Sequence, residues 1–319
     1  MRHYFLFFIL SLLLFSCKDE PKNRVDVSEV EIDLNVKRFD QDFYLKGKEN
    51  LNLLKEDYPM LFPENTPDSI WISKMDDVDE RELFEATQKV YQDFSQIESE
   101  LLDLFRHVKY YNANFSTPEV ITVLSNIDYE YRTIYSGELL LISLDVYLGK
   151  ESLFYADYPD YVKENNTPER IVVDVANQII DVQLKPSLNR TFLGKMITAG
   201  KRLYLLDLYV PEATDEVKIG YAKEKLLWAE ANESEIWRYF IENDLLYSTN
   251  TKLNKRFLDE APFSKFYLAQ DSDSPGRIGA WMGWQIVRSF MEKNDVSLQS
   301  LLQMNEEELF KKANYKPKK

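Results

Sequence analysis

Val120-Ile121-Thr122-Val123-Leu124, Tyr131-Arg132-Thr133-Ile134-Tyr135 and Leu139 to Leu148 are β-branched, aromatic or apolar runs, separated by Ser125-Asn126-Ile127-Asp128 and by Ser136-Gly137. Such residues suit a pleated, half-buried surface, and short polar or Gly-containing breaks between them signal hairpins. The stretch therefore reads as a small antiparallel sheet, two hairpin-connected strands plus a third. Beyond it the period changes to that of helices. Thr167-Pro168 opens one that runs to about Leu184, and others span about 194–209, 220–243 and 275–293. Pro after Thr167 and after Ser274 fits the first helical position, whose N–H has no intrahelical partner. Sheet first and helices after give an α+β fold with a mostly helical C-terminal half.

Upstream, Val25, Val27, Val30, Ile32, Leu34 and Val36 alternate and suggest one more strand. Asp79-Glu80-Arg81-Glu82 carries a capping-box pattern, Asp three residues before Glu, ahead of apolar positions from Leu83 to Val108 at helical steps. That predicts one amphipathic helix from about 79 to 111. No repeat of 20–50 residues interrupts the chain. Residues 25–319 are taken as one α+β domain, with a possible subdivision near 115.

The N-terminal end has a different character. Arg2 precedes an apolar run from Tyr4 to Leu14, followed by Phe15-Ser16-Cys17. The run is too short to span the ~30 Å hydrocarbon core as a helix, and a small residue followed by Cys is the processing signature of bacterial lipoproteins. Residues 1–16 are expected to be a signal peptide cleaved between Ser16 and Cys17, leaving Cys17 as the acylated first residue. Two or three acyl chains would anchor durably where one would not. Residues 17–24, charged and containing Pro21, read as a flexible tether between lipid and domain.

Composition narrows the function. The formal charge is −15, which argues against nucleic acid as a partner, since binding it requires Lys and Arg to neutralise phosphates. The lysines near the C-terminus, Lys311, Lys312, Lys316, Lys318 and Lys319, read as a frayed, solvated tail. Cys17 is the single cysteine, so once it is acylated no thiol is left for a disulfide. Aromatic content of 14% and only 9 glycines suit a packed globule held by burial alone.

Catalytic sets are scarce. Only His3, in the signal, and His107, on the long first helix, are present. A His-Glu-x-x-His zinc site and a Cys nucleophile are both absent. Asp271-Ser-Asp273-Ser-Pro-Gly276 begins like a calcium loop but places Pro275 and Met282 where ligands should stand, so a helix start explains it better. No metal and no cofactor is expected. One feature is suggestive: the helix from 168 to 184 gathers Asp174, Asn177, Gln178 and Asp181 on one face, at i, i+3, i+4 and i+7. Such a polar stripe is either the solvent side of the helix or the wall of a cleft.

Several local strings, with the lipoprotein signal, resemble the gliding-motility lipoprotein GldB family of the Bacteroidetes. They are Leu144-Asp145-Val146-Tyr147-Leu148-Gly149-Lys150, Gly200-Lys201-Arg202-Leu203-Tyr204, the span Trp228 to Trp237, Ala261-Pro262-Phe263-Ser264-Lys265-Phe266, Ser274-Pro275-Gly276-Arg277-Ile278-Gly279 and the closing Tyr315-Lys316-Pro317-Lys318-Lys319. The resemblance implies an envelope lipoprotein needed for gliding, linked to the type IX secretion machinery, with other gliding or secretion proteins as partners. Lys18-Asp19-Glu20 also resembles the surface-export signals of lipoproteins in that phylum, although a plain tether accounts for it. The order of sheet and helices looks like the layout of metallopeptidases, but Asp174 and Gln178 stand where zinc histidines would be. The resemblance thus implies a peptidase-like scaffold without peptidase activity. A divergent envelope hydrolase and a glycan-binding lipoprotein are the rival readings, and aromatic segments such as Trp281-Met282-Gly283-Trp284 are candidate interface anchors.

Lipidation yields the first test. Cys17→Ala should abolish incorporation of labelled palmitate and leave the signal uncleaved; label that still enters the variant would refute the anchor.

Overall fold

A computed structural model describes residues 25–318; the expected signal peptide, the Ser16-Cys17 cleavage point and the tether of residues 17–24 lie outside them. The described residues begin with irregular chain that turns at Ser28–Glu29, and of the strand expected at Val25–Val36 only β1, Val36–Lys37, is paired. Then follow α1 (Phe39–Gln41), a π-helical segment (Asp42–Lys46), α2 (Gly47–Asp57), α3 (Asp68–Asp76), α4 (Val78–Tyr91) and α5 (Ser95–Tyr111). The helix expected at 79–111 is therefore two. Asp93 accepts a 2.9 Å bond from the Ser95 amide and restarts the chain, while Phe94 turns into the core. The cap also sits two residues earlier than the pattern suggested: Asp77 accepts from the Glu80 amide at 3.0 Å.

The sheet comprises β1, β2 (Glu119–Val123), β3 (Thr133–Tyr135) and β4 (Leu139–Ser143), in the order β1-β2-β4-β3. It is mixed, which corrects the expectation of an antiparallel sheet. β3 and β4 form the antiparallel hairpin, with Thr133 opposite Ile142, but β2 pairs in parallel with both β1 and β4. Composition shows that strands exist without showing which are neighbours. β2 and β4 are central because they are apolar on both faces, and β3 is only three residues long and holds an edge. The alternation of a strand then separates adjacent residues into two cores: Ile121 packs with Phe43, Tyr44, Leu54 and Phe84, whereas Val120 packs with the C-terminal helices. A buried ion pair links the layers. Arg38 donates to both oxygens of Asp40 at 2.9 and 2.8 Å, and Gln88 of α4 donates to the same carboxylate at 3.0 Å.

The C-terminal half contains α6 (Asp160–Lys163), α7 (Ile171–Gln183), α8 (Phe192–Tyr209), α9 (Asp215–Ile219), α10 (Lys223–Ala231), α11 (Glu233–Glu242), α12 (Lys252–Phe257), α13 (Ile278–Lys293), α14 (Leu298–Gln303) and α15 (Glu306–Ala313). Pro168 does start a helical turn, of 3₁₀ type, that leads into α7. Pro275 does not. Residues 275–277 form a loop, Arg277 is left-handed with φ of 56°, and the first amide of α13, Ile278, is capped at 3.2 Å by the remote hydroxyl of Ser264. The helix expected at 220–243 breaks at Asn232, whose side chain returns a 2.8 Å bond to the Trp228 carbonyl.

α8 and α13 meet backbone to backbone, because each offers a glycine where they cross. A Cβ added to Gly283 would lie 1.8 Å from the Met196 carbonyl oxygen, and one added to Gly200 would lie 2.2 Å from the Gly283 oxygen. Trp281 and Trp284 flank this crossing and are buried, so they are core residues, as aromatics at helical spacing usually are, and not the interface anchors that were the alternative. Asp207 of α8 fastens the same pair, accepting from Trp284 Nε1 at 2.9 Å, from Arg288 Nε at 2.8 Å and from Lys218 Nζ at 3.1 Å. The C-terminal tail is docked through residue 318, not frayed: buried Glu233 accepts from the Tyr315 hydroxyl at 2.6 Å and from the Lys318 amide at 3.0 Å, and Tyr315 packs edge-on to Trp237.

Backbone atoms cannot move aside as side-chain tips do, so Gly283→Ala should force the helices apart. Overpacking costs about 1–3 kcal/mol or more, and urea unfolding should show a midpoint shift of that size with an unchanged slope. A midpoint equal to wild type would mean that the crossing is not tight.

Candidate functional site

The polar stripe of α7 lines a cleft. Asp174, Asn177, Gln178 and Asp181 all face a cavity of about 890 Å³, closed on the other sides by the Lys185–Arg190 loop, by Lys195, Thr198 and Arg202 of α8, by Arg132 and Thr133 at the edge of the sheet, and by Asp259, Glu260 and Arg277. The sequence brought these four residues to one face, and the tertiary structure decided that the face is walled in.

Three of the four are already engaged. Asp174 lies at the floor, where Arg170 Nε donates to one oxygen at 2.8 Å and the buried Tyr147 hydroxyl to the other at 3.0 Å, with Arg132 4.0 Å away. Burial, and next the Asp174 charge, push the Tyr147 phenol well above its usual value, so it stays a proton donor to that carboxylate. Arg202 Nε donates to Asn177 Oδ1 at 2.9 Å, and its terminal nitrogens hold both oxygens of Asp181. Gln178 is the exception: it is half-buried and makes no hydrogen bond among the described residues.

The pairing limits the chemistry. A carboxylate held by a guanidinium is a poor general base and a poor metal ligand, since its lone pairs and charge are committed. Among the described residues no three His, Cys, Asp or Glu side chains converge as a metal cage. His107 is buried on α5 and bonds the Asp103 carbonyl at 2.9 Å, away from the cleft. Asp271, the first position of the calcium-like loop, spends its carboxylate on the amides of Tyr267 and Leu268 at 2.8 and 3.1 Å.

Some of the unusual strings reach this cleft: Arg202, Leu203 and Arg277 line it, and Tyr147 bonds Asp174. The 144–150 segment lies beneath it: Tyr147 reaches Asp174, and buried Asp145 accepts from the Ser125 and Ile127 amides at 3.0 and 2.6 Å, holding Asn126 and Ile127 left-handed. Burial raises the Asp145 pKa against the lowering effect of those amides. The 261–266 and 274–279 segments clasp each other at one end, through a 3.1 Å bond from the Ser264 amide to Ser274 Oγ and a Gly276 so close that a Cβ would lie 2.0 Å from the Ala261 oxygen. Their junction presents Arg277 to the cleft.

A family model described as gliding motility protein GldB matches residues 20–317. The chain belongs to the GldB family. No curated protein and no solved structure matches it. Family membership makes this chain a gliding-motility lipoprotein and points to the cell envelope; among the described residues no helix is long and apolar enough to cross a membrane.

The arginines were missed in reading the α7 stripe, although Arg170 stands one turn before Asp174 and Arg202 and Arg277 lie within the strings that mark the GldB resemblance. Their two ion pairs should differ in weight. The Arg170–Asp174 side chains are 10% and 14% exposed, and Arg202–Asp181 33% and 48%. Removing one partner of a buried pair costs about 3–5 kcal/mol, so Arg170→Ala should destabilise on that scale. Exposed pairs contribute only ~0.2–1 kcal/mol, and Arg202→Ala should cost near that. Equal losses in chemical denaturation would contradict the assignment.

Proposed function

We propose that this GldB-family chain is a lipid-anchored, non-catalytic component of the gliding apparatus. In this reading residues 1–16 are a signal peptide, Cys17 carries the lipid, residues 17–24 are the tether, and residues 25–319 form one α+β domain that contacts other envelope proteins of the gliding and type IX secretion machinery. The match across residues 20–317 to the gliding motility protein GldB family carries the motility assignment. The non-catalytic part is supported by the site chemistry, in which arginines neutralise both Asp174 and Asp181.

Deletion of the gene should stop colony spreading, a wild-type copy should restore it, and a Cys17→Ala copy at normal protein level should restore little. A deletion strain that glides and secretes like its parent would remove the motility role. The non-catalytic reading has its own check: an Asp174→Asn copy present at wild-type level should restore gliding in full, whereas loss of gliding together with loss of a hydrolytic activity would establish an enzyme.

A further inference from the structure

The charge of the cleft runs against that of the chain. Eight basic side chains line it against five acidic ones, in a protein whose formal net charge is −15. Three of those acids are paired within the cleft, Asp174 with Arg170, Asp181 with Arg202 and Glu260 with Arg277. On the wall formed by the 185–190 loop and the first turn of α8, Lys185 and Arg190 are exposed and make no ion pair among the described residues, where Lys195 has only the neutral Asn254 amide oxygen, at 3.0 Å. These three cations lie five residues apart in sequence and line the same wall. Facing them, Gln178 keeps both donors and its acceptor unspent.

We infer that the cleft is a binding site for an extended peptide segment rich in Asp or Glu, whose carboxylates are held by Lys185, Arg190 and Lys195 while its backbone bonds the Gln178 amide. Charge complementarity selects the anion: Glu130 and Asp259 also line the cleft, but its eight basic side chains still outnumber its five acidic ones, and the low-dielectric walls concentrate the field of that excess. The lining selects a peptide over a sugar. Among the described residues no aromatic side chain lines the cleft, so a sugar ring would find no stacking platform there, whereas Gln178, Asn189, Thr198 and Thr133 offer the amide and hydroxyl groups that pair with a peptide backbone. The volume of about 890 Å³ accommodates a few residues and not a folded domain. The inference is independent of the motility assignment, because it concerns binding by the purified protein.

The test uses full-length lipidated protein in neutral detergent and a fluorescent hexapeptide of alternating Glu and Ala, with the Gln-for-Glu peptide as the neutral comparison. Fluorescence anisotropy should show binding of the acidic peptide, at least tenfold weaker for the neutral one, and weakening as salt rises. Lys185→Glu/Arg190→Glu changes two exposed, unbonded side chains, so the fold should survive, as judged by an unchanged melting temperature, while peptide affinity falls at least tenfold. Lys89→Glu/Lys311→Glu, two exposed and unpaired lysines outside the cleft, should leave affinity unchanged. Any of four results overturns the proposal: no binding, equal affinity for the neutral peptide, affinity insensitive to the cleft charge reversal, or preference for an acidic oligosaccharide over the peptide. Displacement of the peptide by millimolar inorganic phosphate would reduce the site to a small-anion pocket and also overturn it. So would light scattering that shows a dimer abolished by the cleft reversal, since the occupant would then be a second copy of this acidic chain.

Discussion

The close crossing of α8 and α13 is the constraint on which the helical half depends. Two glycines, Gly200 and Gly283, let backbone meet backbone, and no other residue type leaves room there. Once the axes are that close, Trp284 is drawn into the core and its indole N–H must find a partner, which Asp207 provides. Asp207 in turn needs cations, and Arg288 and Lys218 supply them. Arg288 also binds Asp215 at 2.8 Å, and this pairing keeps the Asp215 carboxyl below its usual range although burial alone would raise it. Apolar approach and polar satisfaction are thus one event: the network exists because the crossing buries it.

The cleft follows from that geometry. With α13 fixed on α8, the loop before α13 is held at the mouth of the cavity by the Ser264 and Ser274 hydroxyls, and Arg277 is set at its end in a left-handed conformation that a non-glycine residue adopts only under constraint. Burial draws the Arg277 guanidinium below its usual value, and Glu260, 3.5 Å away, acts in the opposite sense. On the other side α7 is fixed by a continuous apolar face from Ile171 to Ile180, which leaves its polar stripe no direction to point except into the space between α7 and α8.

Arginine pairing occupies both carboxylates of the α7 stripe. Two carboxylates on one helix, Asp174 and Asp181, would suit acid–base work if one were poised by burial and the other free. Here each is bound by a guanidinium and Asp174 by a phenol as well, so neither has an idle oxygen facing the cavity. The basic side chains that make no ion pair among the described residues lie on the opposite wall, and the excess of basic over acidic lining makes the cleft receptive to negative charge in a chain that otherwise repels it.

Local sequence determined the elements whose information is local. The apolar runs at 120–124 and 139–143 specify strands, the periodic segments specify α7, α8 and α13, and the i, i+3, i+4, i+7 spacing puts Asp174, Asn177, Gln178 and Asp181 on one face, because each of these depends only on backbone periodicity. Strand order was not legible, since parallel pairing of β2 with β4 depends on which strands can be buried on both faces and not on the composition of any one of them. Helix breaks at Asp93 and Asn232 were hidden because a single side chain bonding to the backbone ends a period that the flanking residues continue. The aromatic spacing of Trp281 and Trp284 could not say whether they face solvent or core; Gly200, eighty-one residues upstream, settled it by admitting α13. The same holds for the site. One helix supplied its polar face, but whether that face meets water or a wall of arginines and lysines is a property of how α7, α8 and two distant loops pack, and only the tertiary structure contains it.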